Sequence, residues 1–188
     1  MDRVRSFVAI VLSEEVRTAV AAEIARLRPL GSSVSWIAPP NLHLTLKFLG
    51  ELLPDALEQV KESLTEAVAG VRPFSLHFYG LGAFPGMARP RVLWVGVDEG
   101  SPAAQALQAR VEAAFSRRGF AREERPYSPH LTIARVRDPR GLAELQQALA
   151  RDARMEFGRL HVGGLSLMRS DLSPAGARYT ELAAFPFA

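Results

Sequence analysis

Cysteine is absent from the 188 residues, so disulfides and thiolate metal sites are excluded. Lysine is almost absent as well. Lys47 and Lys61 are the only two, and nearly all basic charge is arginine, whose guanidinium suits bidentate contact with phosphate. The formal net charge is only +3. That balance permits a polyanionic ligand without demanding one, and it argues against a general RNA-binding protein. Long apolar runs are missing too. Phe7 to Leu12 is too short for a signal-peptide core and is followed at once by Glu14 and Glu15. Nothing approaches the roughly 18 apolar residues that read as a membrane span. A cytoplasmic protein is therefore expected. HExxH and any dense Asp/Glu/His cluster are also lacking, which weakens a metal hydrolase built on the four histidines. No low-complexity linker divides the chain, so residues 1–188 are expected to form one domain.

What is present is a strand–helix alternation that repeats. RSFVAIVL reads as a strand, followed by a helix that Ser13 caps and whose Val16, Val20, Ile24 and Leu27 form one stripe. A second helix is expected from about Pro54 to Ala69, with Leu57, Val60, Leu64 and Val68 inward. PFSLHFYGL and RVLWVGVD read as strands. A third helix follows Ser101 and buries Leu107, Val111, Ala114 and Phe115. A shorter one carries Leu142, Leu145 and Leu149. GRLHVGGLSLMRS and ARYTELAAF read as closing strands, with a turn at Ser173 to Gly176. Phe7 precedes His43 by 36 residues, and Leu93 precedes His130 by 37. The two halves thus carry matching tetrapeptides at matching offsets, the mark of an internal repeat.

Those tetrapeptides are His43-Leu-Thr-Leu46 and His130-Leu-Thr-Ile133. In a strand alternate side chains share a face, so each motif presents an imidazole and a hydroxyl together, about 6.8 Å apart along the chain. One such motif says little, since His and Thr are ordinary on half-exposed strands. Two of them in equivalent halves point to cleavage of a phosphodiester. That reaction needs a proton removed from the nucleophile and another given to the leaving oxygen, and imidazoles of pKa near 6.5 can do both near neutral pH. Threonine hydroxyls can stabilise charge on the non-bridging oxygens. His77 and His161 lack a partner threonine and read as structural or surface residues. Trp36 and Tyr127 read equally well as core or cleft residues. Arg169, Arg178 and Tyr179 read as surface positions.

At WIAPPNLHLTLKFLGE and RPYSPHLTIAR the sequence resembles the two-histidine phosphoesterases, in the branch of RNA 2′,3′-cyclic phosphodiesterases also described as 2′-5′ RNA ligases. The resemblance extends from RSFVAIVLSEEVR to MRSDLSPAGARYTEL. It includes Phe five residues after the first His and Arg five after the second, here Phe48 and Arg135. It implies an α+β fold of two pseudo-symmetric lobes, each a mainly antiparallel sheet with flanking helices, with the site in the cleft between them. It implies that His43 acts as general acid toward the leaving ribose oxygen and His130 as general base on water, giving a 2′-phosphate. Arg135 would contact the phosphate beside Thr45 and Thr132, and Phe48 would stack on the terminal base. The implied substrates are RNA ends bearing a cyclic phosphate, tRNA halves among them, or small cyclic nucleotides. No metal or other cofactor is implied, a monomer is expected, and joining of a 5′-hydroxyl end to a cyclic phosphate, a reversible activity, gives the ligase name. Strand parity stands against part of this. Residues five apart face opposite sides, so Phe48 and Arg135 need a bulge, a strand end or a reach around an edge, and parity alone nominates Lys47. The alternative from another class is a non-catalytic nucleotide-binding module of the same fold.

Overall fold

Each half of the chain opens on a β-branched strand that feeds a helix. The computed structural model describes residues 3–174 and 176–188. β1 (Val4–Val11) leads into α1 (Glu14–Leu27), where Ser13 Oγ accepts from the Val16 N–H at 3.4 Å and Glu14 and Glu15 sit in the positive first turn. The stripe Val16, Val20, Ile24 and Leu27 is fully buried. A short β2 (Val34–Trp36), β3 (His43–Leu52) and α2 (Ala56–Val68) complete the first repeat. β4 (Phe74–Phe84) intervenes, and the second repeat runs through β5 (Val92–Val97), α3 (Ser101–Arg117), β6 (His130–Val136) and α4 (Ala143–Arg151). β7 (Glu156–Val162), β8 (Gly164–Ser173) and β9 (Gly176–Pro186) follow. The helical apolar positions foreseen from periodicity are buried, except that Leu57 is half-buried against the core.

The strands form two sheets, ordered β3-β1-β8-β9 and β2-β6-β5-β4-β7, with antiparallel pairing throughout. In each repeat the opening strand pairs with the motif strand, β1 with β3 and β5 with β6. The core from both sheets and all four helices is one continuous apolar cluster.

Two features depart from the sequence reading. β2 is an additional strand, and it joins the sheet of the other repeat, Val34 pairing with Val136. GRLHVGGLSLMRS is two strands in different sheets, broken at Gly163: β7 pairs with β4, and β8 with β1. Gly164 permits the crossing, since a Cβ there would lie 2.7 Å from the Phe185 carbonyl oxygen. The expected turn at Ser173–Gly176 includes Ala175, which lies outside the described residues, as do Met1 and Asp2.

Candidate active site

The parity conflict is resolved by a bulge at the same place in each motif strand. Val8 pairs with Lys47 and Ala9 with Thr45, leaving Leu46 over; Leu93 pairs with Ala134 and Trp94 with Thr132, leaving Ile133 over. Both strands consequently show the same alternation from the histidine onward: open, buried, open, buried, buried, exposed. Two consecutive inward residues, Leu46-Lys47 and Ile133-Ala134, reset the phase. Phe48 and Arg135 thereby share a face with His43/Thr45 and His130/Thr132. Phe48 is 66% exposed, an unusual position for its apolar ring. Lys47, which parity had nominated, is only 6% exposed and points inward.

The two imidazoles are oriented by one device used twice. His43 Nδ1 lies 2.7 Å from the Asn41 carbonyl oxygen, and His130 Nδ1 lies 2.7 Å from that of Ser128. A carbonyl can only accept, so each Nδ1 carries its hydrogen and each Nε2 is left to exchange a proton. Asn41 is itself tied down, its side-chain amide donating to the Ala177 carbonyl at 2.7 Å. The surroundings of the two rings differ. His43 lies against Phe7 at 4.6 Å between ring centroids and edge-on to Tyr179 at 5.1 Å. His130 meets the edge of Phe84 at 5.0 Å. Burial holds the His43 imidazole below its ordinary pKa of 6.5, partly offset by its bond to Asn41.

The cleft consists of two adjoining chambers. A smaller one of about 330 Å³ is lined by His43, Phe7, Tyr179, Arg5 and Ser170, and a larger one of about 680 Å³ by His130, Phe84, Arg122, Arg125 and Tyr127. Thr45, Thr132, Arg135 and Phe48 line both. All six residues singled out from the sequence therefore open on one cleft, with the four shared ones between the histidines. Tyr179 and Tyr127 join them, although the sequence reading assigned Tyr179 to the surface and left Tyr127 open. The signal for Tyr127 is its position three residues before His130; nothing in the sequence marks Tyr179, which arrives on β9. Burial raises the Tyr179 phenol, with Arg135 and Arg5 acting in the opposite sense. His77 pairs with Asp98 at 2.8 Å and His161 is exposed, both away from the cleft lining, as expected. Among the described residues no group of three or more His, Cys, Asp or Glu is placed to hold a metal ion.

β3 and β6 pack against each other across the sheet boundary without forming a ladder. Polar links tie β3 instead to α3 and to the segment that precedes β6. The Tyr127 hydroxyl donates to the Thr45 carbonyl at 2.8 Å, and burial keeps that phenol protonated by raising its pKa. Lys47 Nζ donates to both Glu112 carboxylate oxygens at 2.9 Å and to the Ala121 carbonyl at 2.8 Å. Glu112 also accepts from the Glu123 N–H at 3.3 Å. The segment leading to His130 is thus fastened to β3 and α3 from within.

A family model described as the 2′-5′ RNA ligase superfamily matches residues 16–174. The chain belongs to that superfamily. It is 36% identical over 183 residues to an RNA 2′,3′-cyclic phosphodiesterase of Methanothermobacter thermautotrophicus, covering 97% of this chain and 98% of the relative. It is 34% identical over 188 residues to a protein of the same name in Aquifex aeolicus, covering 98% of each. A crystal structure of a Thermus thermophilus protein superimposes with a TM-score of 0.77 at 32% identity, covering 97% of both chains. E. coli LigT complexed with 3′-AMP superimposes at 0.80 with 24% identity over 99% of both, which shows the shared superfamily fold. The α+β architecture of two antiparallel sheets is the fold of these structures.

Proposed function

We propose that the chain is an RNA 2′,3′-cyclic phosphodiesterase that opens a terminal cyclic phosphate to a 2′-phosphate by two-histidine acid–base catalysis. The observation that carries this is the twin arrangement: two imidazoles with Nδ1 bound to a backbone carbonyl, Nε2 free, and two threonines and an arginine between them. His130 Nε2 takes a proton from the attacking water as its oxygen bonds to phosphorus. His43 Nε2–H gives a proton to O3′ as the P–O3′ bond breaks. Each transfer is worth roughly 10² to 10⁴ in rate. Thr45, Thr132 and Arg135 donate to the non-bridging oxygens where charge accumulates, and Phe48 stacks on the terminal base. Burial favours the neutral form of His43. The phosphate anion offsets this on arrival, because an adjacent negative charge favours the imidazolium.

These groups accomplish every proton transfer without a metal ion or other cofactor. Exchanging water for a 5′-hydroxyl gives the joining reaction by the same steps. The substrates are RNA ends, with tRNA halves and small cyclic nucleotides among them. We further infer that residues 1–188 work as one bilobed, monomeric, cytoplasmic unit; among the described residues no helix is long and apolar enough to cross a membrane. The test is incubation of an RNA bearing a 2′,3′-cyclic end in EDTA, with the product end identified. A 2′-phosphate is expected. A 3′-phosphate would refute the leaving-group assignment. An unchanged end, with tight binding of 2′-AMP, would favour the binding-module reading. Turnover that EDTA abolishes and zinc restores would refute the metal-free mechanism.

A further inference from the structure

The cleft face of the first sheet continues past the proposed reaction centre. Paired residues share a face, so the register places His43 with Val11, Thr45 with Ala9, Phe48 with Phe7 and Glu51 with Arg5 in successive rows. Arg5 therefore lies one row beyond the Phe48–Phe7 row, on its far side from Thr45. Four residue steps of strand lead from Ala9 to Arg5, about 14 Å of backbone. The Arg5 side chain lines the smaller chamber with Ser6, Ser170 and Tyr179. It is exposed, and no carboxylate among the described residues forms an ion pair with it. Glu51 sits across the ladder from it, and the neighbouring Arg169 is engaged by Asp171 at 2.7 Å. Arg5 is thus a cation facing a cleft that already has Arg135 for the reacting phosphate.

We propose that Arg5 binds the phosphodiester on the 5′ side of the terminal nucleotide, so that the small chamber recognises a polynucleotide end rather than a lone cyclic nucleotide. The inference rests on the phosphodiesterase reading above and adds a second phosphate site to it. A nucleoside whose cyclic phosphate lies among Thr45, Thr132 and Arg135 and whose base rests on Phe48 directs its 5′ oxygen along the rows toward Arg5. The guanidinium on its flexible stem reaches back over that row to meet it. Ser6 is buried beside it, with its hydroxyl donating to the Val4 carbonyl at 3.3 Å, which fixes the strand end that carries Arg5. One added phosphate contact also suits a chain whose net charge is only +3.

The test compares kcat/KM on three substrates: a 2′,3′-cyclic mononucleotide, a trinucleotide with the same cyclic end, and that trinucleotide with an uncharged methylphosphonate at its last internucleotide link. The wild type should prefer the charged trinucleotide by roughly tenfold or more, the size of one charge-assisted hydrogen bond, and lose that preference on the methylphosphonate. Arg5→Gln should shrink the ratio of trinucleotide to mononucleotide by the same factor. It should also flatten the salt dependence of log kcat/KM on the trinucleotide by about 0.7. The proposal is overturned if the wild type treats the charged and methylphosphonate substrates alike, or if Arg5→Gln lowers all three rates in parallel. Failure of the wild type on all three would instead overturn the phosphodiesterase reading, and this inference with it.

Discussion

Lys47 offers a perturbation whose size follows from its surroundings. The residue is 6% exposed, and its ammonium gives all three of its hydrogens to Glu112 and the Ala121 carbonyl. Lys47→Met keeps most of the side-chain volume and removes the charge. It leaves the Glu112 carboxylate buried with only Gln108 at 3.3 Å and the Glu123 N–H. Breaking a buried pair on one side costs about 3–5 kcal/mol. For a protein of this size each kcal/mol moves the midpoint by about 2–4 °C, so the single variant should melt about 6–20 °C lower. Lys47→Met combined with Glu112→Leu removes both charges. It should recover most of that loss, because apolar replacement of a buried pair is close to neutral. Calorimetry supplies the midpoints and a steady-state assay the rates. The double variant should remain slower than wild type despite its recovered stability, since the segment before His130 keeps its Tyr127 link to Thr45 but has lost those to Lys47 and Glu112. A single variant within about 1 kcal/mol of wild type would refute the electrostatic reasoning, and full activity in the double variant would refute the link to His130.

Three further outcomes follow from the site. His43→Ala should lose far less rate on a cyclic end whose bridging 3′ oxygen is replaced by sulfur than on the natural one, because a thiolate leaves without protonation; equal losses on the two substrates would remove His43 from the acid role. Phe48→Ala should weaken binding of RNA ends by about 1–3 kcal/mol, read as KM, with kcat changed little, and an unchanged KM would show that the exposed ring does not stack on the base. The pH dependence of stability has a definite sign. His43 is depressed below 6.5 in the folded protein, so the fold prefers its neutral form and that stabilisation fades as pH falls from 6.5 through the folded value. His43→Gln carries no such proton. Urea midpoints of the variant should therefore gain on wild type between pH 7.5 and 5, and a constant difference across that range would contradict the assigned burial effect.

The elements with strong periodicity are legible in the sequence: β1, the α1 stripe, both motif strands and the buried side of α3 lie where their apolar spacing puts them. The face shared by His43 and Thr45 follows from alternation alone. What escapes is set by pairing between distant segments. The placement of Phe48 and Arg135 depends on bulges opposite β1 and β5, and only the adjacent apolar pair Ile133-Ala134 hints at one. In β3 the second inward residue is Lys47, whose charge disguises it as a surface position; its partner Glu112 lies 65 residues away. β2 is three residues long and has no alternation to detect. Gly163-Gly164 does mark a break, but which sheet each flank joins is a property of the whole topology. Tyr179 reaches His43 because the β8–β9 hairpin joins a sheet whose other two strands, β1 and β3, come from the opposite end of the sequence.

That last arrangement bears on synthesis. A ribosome delivers β1 and β3 long before β8 and β9, so the first sheet remains two strands wide, with one side of β1 lacking its neighbour, until nearly everything else has emerged. The aromatic wall around His43 closes last of all. Nascent chains therefore pass through a stage in which the half that carries β6 has its full set of strands up to β7 while the other awaits its tail, and a chain ending before β9 would keep the surroundings of His130 while lacking the Tyr179 ring beside His43.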